Sequence, residues 1–181
     1  ENINDSKFVH KLLSLEPDLI VIAGYSQILK KGLLSLPRYG CINLHGGKLP
    51  KFRGSSPMNW ALINNEKQFT ITIIKVDAGV DTGDILAEKT FDIQPEYNIT
   101  DLHKLADKYF PEMLLGVINK IEKGTLNPEV QGIEKASYYP LRFPNDGIVF
   151  FDQISAEEIH NRIRALTSPF PGVISFYKNK K

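Results

Sequence analysis

Asn43 and His45 lie one residue apart at the end of a short apolar run that begins at Cys41, and Gly46 and Gly47 follow at once. Side chains two positions apart on an extended segment share a face, so both can reach one reacting atom. They are chemically complementary: a neutral amide N–H suits a developing oxyanion, and an imidazole moves a proton near neutral pH. A second glycine-rich turn, VDAGVDTGDI over residues 76–85, holds Asp77, Asp81 and Asp84 at the end of another apolar strand. A carboxylate near an imidazole favours its protonated form and fixes its orientation, so this turn beside His45 would complete a proton-transfer couple. Asp77 and Asp84 suit a local role, satisfying backbone N–H groups of their own turn.

Other chemistries fit less well. The series Asp77, Gly79, Asp81, Gly83, Glu88 is a poor copy of a calcium loop, because Gly79 stands where a ligand belongs and Thr82 where the sharp turn needs glycine. One cysteine and four scattered histidines, His10, His45, His103 and His160, give no zinc-ligand pair, and no metal is expected. RGSSPM is not a nucleophile elbow, and Cys41 lies inside an apolar run, so covalent catalysis has no carrier.

The elements that must position these residues read as α/β. NINDSKFVHKLLSLE, 2–16, carries Phe8, Val9, Leu12, Leu13 and Leu15 at near-helical spacing with Asn4, Asp5 or Ser6 as N-cap, and DLIVIAG, 18–24, is a continuous apolar run ended by glycine, as in a strand buried on both faces. Residues 26–36 return to helical spacing, and 41–44 form a second buried strand. Pro57 starts a helix capped by Ser55 or Ser56. FTITIIKVD, 69–77, and ILAEKTFDI, 85–93, suit an antiparallel pair. A helix from about Thr100, its cap, to Lys123 contains Pro111, which predicts a kink or break. Residues 126–146, rich in proline, read as a surface connector. GIVFFD then reads as a strand, Ser155 to Glu158 as a capping box opening a helix, and PFPGVISFY as another strand. The expected fold is a Rossmann-like α/β domain with a mostly parallel sheet over residues 1–125, without its first β-α-β portion, then the connector 126–146 and the start of a smaller module, 147–181.

Composition narrows the partners. Lys plus Arg total 22 against 21 acidic residues, a net charge of +1, so there is no global polycation for nucleic acid. Lys48, Lys51 and Arg53 make a local basic cluster that reads as a solvated loop or as a site for an anionic ligand. No run reaches the roughly 18 apolar residues of a spanning helix, and the single cysteine fits a reducing compartment, so a cytoplasmic protein away from membranes is expected.

NLHGGKLPKFRGSSPMNWAL followed by KVDAGVDTGDIL resembles the formyltransferases that use 10-formyltetrahydrofolate, whose motifs are N-x-H-x-S-L-L-P and D-x-G-x-D-x-G. The similarity runs from about Ile20 to the end of the chain. It implies that Asn43 stabilises an oxyanion, that His45 is the acid/base, and that Asp81 raises the basicity of His45. It also implies a folate site formed by Tyr25, Ser26, Gln27, Ile28 and Leu29 after the first strand, by Gly47, Leu49 and Pro50, and by Asp77, Ala78, Gly79 and Val80. The chain departs from the pattern at Gly47-Lys48, where the family usually has Ser-Leu. Members of the family formylate methionyl-tRNA, glycinamide ribonucleotide or amino sugars on nucleotides, and a close relative hydrolyses formylfolate. A net charge of +1 is lower than a tRNA binder's basic face would give. Arg142 in LRFPNDG resembles the R-x-P-x-D segment of the amino-sugar formyltransferases, and the opening 24 residues resemble the enzymes that modify lipid A and O-antigen sugars. The expected acceptor is therefore a nucleotide-linked amino sugar, with methionyl-tRNA, a formyltetrahydrofolate hydrolase or a non-catalytic folate binder as alternatives. A homodimer is an expectation from the resemblance alone.

Overall fold

The computed structural model describes residues 2–176, so the end of the last expected strand, Tyr177, and Lys178 to Lys181 lie outside the described residues. The strands β1 (Ile20–Ala23), β2 (Cys41–His45), β4 (Gln68–Lys75) and β5 (Ile85–Asp92) form one sheet in the order β1-β2-β4-β5. β1 and β2 run parallel, whereas β2–β4 and β4–β5 pair antiparallel, so the α/β sheet is mixed rather than mostly parallel. For β4 and β5 the reason is local: the nine-residue link after Lys75 is too short for a crossover helix and closes a hairpin. A second, two-stranded sheet joins β3 (Arg53–Gly54) in parallel to β6 (Tyr138–Tyr139).

β4 is buried from Phe69 to Ile74, as its β-branched sequence demands, and β5 alternates half-buried and exposed toward its end. β1 lies at the sheet edge, and its Val21 face is exposed, so it is not buried on both sides.

The helices are α1 (Ser6–Leu13), α2 (Lys31–Leu34), α3 (Pro57–Ile63), α4 (Ile99–Glu122) and α5 (Ala156–Leu166). The helix expected over 26–36 shrinks to α2, because Asn4 takes the preceding backbone: its Nδ2 donates to the Ile28 carbonyl at 3.0 Å and its Oδ1 accepts the Lys30 N–H at 2.8 Å. α3 starts with Pro57 at its first turn, but Ser56 caps it in the left-handed conformation with no side-chain bond. α4 is capped by Asn98, not Thr100, in a reciprocal box with Asp101. It runs unbroken through Pro111. The carbonyl that Pro111 leaves without a donor belongs to Asp107, which is exposed to water, while the opposite face is held by buried Leu102, Ala106 and Val117.

α5 opens with the expected box, Ser155 N donating to Glu158 Oε2 at 2.8 Å and Glu158 N to Ser155 Oγ at 3.2 Å. Its Ala165 and Leu166 enter the same core as Ala61 and Leu62 of α3, Phe69 and Ile71 of β4, and Leu102 of α4. Asn59 of α3 donates to the Ala165 carbonyl at 2.7 Å. Among the described residues, the expected strands at 147–152 and 169–177 reduce to one bridge, Ile148 with Ile174, and Phe150 and Phe151 stay exposed. Among the described residues, no helix is long and apolar enough to cross a membrane.

Candidate active site

β2 presents Asn43 and His45 from the interior of the sheet, opposite Ile74 and Thr72 of β4 respectively. The link after β4 is anchored at its start, where Val76 N–H donates to the Cys41 carbonyl at 2.8 Å. Asp77 Oδ1 then accepts the Gly79 N–H at 3.0 Å and the Thr82 hydroxyl at 2.5 Å, so Asp77 has the local role its sequence context suggests. A Cβ on Gly83 would collide with the Lys75 carbonyl, which lets the link close tightly. Within it, Asp81 adopts a left-handed φ of 52°.

From that position the Asp81 carboxylate meets three groups. Asn43 Nδ2 donates to Oδ1 at 3.4 Å, the Gly54 N–H donates to Oδ2 at 2.8 Å, and His45 Nδ1 lies 3.7 Å from Oδ2. The imidazole is 5% exposed, and its Nε2 is 2.6 Å from the Phe52 carbonyl. A carbonyl only accepts, so Nε2 carries its hydrogen there, and a second proton goes to Nδ1, opposite the carboxylate. The structure therefore brings Asn43, His45 and Asp81 together, with the geometry of a carboxylate-backed imidazole beside an amide.

These side chains open onto a cleft of about 1060 Å³. Tyr25, Ser26, Gln27, Ile28 and Leu29 line one part, and Asp77, Gly79 and Val80 line another. Ala78 is not on the wall, and neither are Gly47, Leu49 and Pro50. Leu49 packs with Ile74 and Ile85 beneath it, and Gly47 is closed in by Pro57, Phe52 and His45. His103, Asp107 and Phe110 of α4 and Tyr138, Tyr139 and Leu141 of the connector also line it. No group of three or more metal-ligating side chains occurs among the described residues.

The basic cluster divides. Lys48 and Lys51 are exposed, but Arg53 is 2% exposed, so it belongs neither to a solvated loop nor to a surface anion site. Its Nε and Nη2 donate to Gln131 Oε1 at 3.1 and 2.8 Å, and Nη1 donates to the Tyr138 hydroxyl at 3.0 Å. The connector is thus wired into the site, with Gln131 buried and Glu129 bridged to Ile85. Gln131 gave no sequence signal, since a single amide among prolines and glycines has no periodicity.

The fold and these side chains define an α/β protein with an amide, an imidazole and a carboxylate convergent on one cleft. The chain belongs to the formyl transferase family: residues 1–118 match that family, and residues 143–181 match the formyl transferase C-terminal domain. It is 40% identical over 177 residues, 98% of its length, to the methionyl-tRNA formyltransferase of Caldanaerobacter subterraneus subsp. tengcongensis, covering 57% of that protein. The chain thus spans little more than half the length of such relatives. Among solved structures it resembles the methionyl-tRNA formyltransferase from Clostridium thermocellum, with a TM-score of 0.75 and 26% identity over 94% of this chain and 71% of that one. It also resembles the N-formyltransferase from Helicobacter canadensis in complex with folinic acid and dTDP-3-aminofucose, with a TM-score of 0.62 and 29% identity over 68% of this chain and 46% of that one.

These similarities overturn the amino-sugar acceptor. Relatives 35 to 40% identical over 95 to 100% of this chain are named methionyl-tRNA formyltransferase. The features that pointed to a sugar do not discriminate between acceptors. Arg142 stacks 4.9 Å over the Trp60 ring and donates to the Asp146 carbonyl at 3.1 Å, and burial holds its pKa below the usual guanidinium range. That is a local packing role. A net charge of +1 on a chain that spans 57% of such a relative does not decide between the acceptors.

Proposed function

We propose that the protein transfers the formyl group of 10-formyltetrahydrofolate to the amine of methionyl-tRNA. The observation that carries the reading is the convergence of Asn43, His45 and Asp81 on the cleft, in a chain whose relatives bear that name. The division into a formyltransferase domain over 1–125, a connector over 126–146 and a further module from 147, and a cytoplasmic setting, are part of the proposal.

The cleft suits a folate. Its volume accommodates a bicyclic ring, exposed Tyr25 and Ile28 offer apolar surface, and the loop at Gly79 and Val80 forms part of the wall. The folate supplies the formyl carbon that the amine attacks. At the tetrahedral stage, the second N–H of the Asn43 amide donates to the oxyanion while the first stays on Asp81. The amine nitrogen bonds to the formyl carbon, and as the oxyanion collapses the bond from that carbon to the folate nitrogen breaks. The His45–Asp81 couple, with Nδ1 3.7 Å from the carboxylate, takes the proton that the amine loses and returns it to that nitrogen as tetrahydrofolate leaves.

The test uses full-length protein with 10-formyltetrahydrofolate and charged initiator tRNA, following tetrahydrofolate release and formyl-methionyl-tRNA. Formylation is expected, and Asn43→Ala is expected to stay folded while losing roughly a hundredfold to a thousandfold in kcat, the usual effect of removing one oxyanion donor. Tetrahydrofolate release without any acceptor would indicate a hydrolase, and no release at all would indicate a binder. Asn43→Ala with wild-type turnover would defeat the assignment of the amide.

A further inference from the structure

Gln131, which is not on the cleft wall, reaches the Asp81 turn from the connector. Its Nε2 donates to two carbonyls of that turn, Asp81 at 3.0 Å and Gly83 at 2.6 Å. Its Oε1 accepts two N–H groups of Arg53, a residue with donors only. With donors on one side and carbonyl acceptors on the other, the amide has one orientation that satisfies every partner. Arg53 is buried, and among the described residues no carboxylate lies within ion-pair distance of it. Its adjacent residue, Gly54, donates its N–H to the same Asp81 side chain. One short segment therefore holds Asp81 twice, by its carboxylate through Gly54 and by its backbone through Arg53 and Gln131.

Asp81 needs such holding. Its left-handed φ of 52° is sparsely populated for a residue with a Cβ, and it persists only where the surroundings over-determine it. We propose that Gln131, oriented by Arg53, is a positioning residue that sets the Asp81 carboxylate against His45 and Asn43. The inference rests on the proposed role of Asp81. It assigns to the connector a part in catalysis at long range in sequence, since Gln131 is separated by 78 residues from Arg53 and by 50 from Asp81.

The test is a double-mutant cycle in full-length protein, assayed as formyl transfer from 10-formyltetrahydrofolate to methionyl-tRNA. Gln131→Glu keeps the oxygen that accepts from Arg53 but sets a second oxygen against the two carbonyls of the turn. It is expected to lower kcat roughly tenfold to a hundredfold with KM for the folate little changed, as for a catalytic group displaced by a fraction of an ångström. In an Asp81→Asn background the same change is expected to cost almost nothing more, because the group it positions is already gone. A wild-type kcat for Gln131→Glu, or a full multiplication of its effect on that of Asp81→Asn, would overturn the inference. If Gln131→Glu does not fold, Arg53→Lys, which keeps the cation and loses the fork, decides by the same cycle. Wild-type turnover in Asp81→Asn alone would defeat the reading of Asp81 and this inference together, whereas a slow Asp81→Asn beside a fast Gln131→Glu defeats this inference only.

Discussion

The backbone N–H of Gly54 donates to the Asp81 carboxylate at 2.8 Å, across 27 residues of chain. Gly54 can do so because its φ is +96° and because it has no Cβ, which would run into the Tyr139 carbonyl of β6. Gly54→Ala should therefore strain the backbone, part β3 from β6 and withdraw one donor from the carboxylate. The backbone term alone is about 1–3 kcal/mol. Urea denaturation should show a lowered midpoint, and formyl transfer should fall further than stability explains. A variant with an unchanged midpoint and rate would show that the approach of Gly54 to Tyr139 is not needed.

The N-terminus of α4 predicts an acid-side pH dependence. Asp101 has its pKa lowered, first by the N–H of Asn98 at 3.1 Å and then by Lys104 at 3.3 Å. A carboxyl lowered on folding stabilises the native state above its unfolded value and loses that contribution as pH falls through the folded value. The ordinary value is 3.8, so the contribution is intact near neutrality and drains away below it. Thermal scans across about pH 5 to about pH 3 should show Tm falling less steeply for Asp101→Asn than for the parent. Parallel curves would remove Asp101 as a source of the slope.

Continuous apolar or β-branched runs made β1, β2 and β4 legible, and alternation along 85–93 made β5 legible as the neighbour of β4. That Asn43, His45 and Asp81 meet in space was legible for a different reason: each residue type has a chemical use, and two glycine-rich turns marked where the chain comes close. What could not be read depended on partners distant in sequence. Asn4 unwinds the start of the expected second helix by bonding Ile28 and Lys30, and nothing in residues 26–30 records this. Gln131 is useful only because Arg53 and Asp81 meet it. Val149, Phe150 and Phe151 have strand-forming side chains, but pairing needs a neighbour, and the described residues supply one bridge there.

Cys41 offers a check on the packing under the site. It is 1% exposed at the start of β2, and burial pushes its thiol pKa up. Only the thiolate attacks, so both access and ionisation slow its reaction. At neutral pH a thiol reagent should modify the native protein far more slowly than the urea-unfolded chain, and the native rate should track global opening. Modification at the unfolded rate would mean that the β2 end of the sheet is open in solution.

Gly47 and Lys48 stand where the resembled family usually carries Ser-Leu, and the two positions should respond in opposite ways. A Cβ on Gly47 would lie 2.7 Å from Pro57 Cβ, 2.8 Å from Phe52 Cβ and 2.9 Å from His45 Nε2. None of these is the far end of a flexible side chain, and Thr72 Oγ1 pins the Gly47 carbonyl at 2.8 Å, so the segment cannot simply slide away. Gly47→Ser should cost about 1–3 kcal/mol as overpacking, and it should lower turnover because the displaced group is the imidazole that meets Phe52. Lys48 is exposed, so Lys48→Leu should stay within about 0.5 kcal/mol of the parent and keep its rate. Denaturation midpoints and formyl-transfer rates of the two variants, measured side by side, separate the cases. Full activity and stability in Gly47→Ser would mean that β2 and α3 part easily at this point, and the tight packing of His45 against Phe52 would not be what orients the ring.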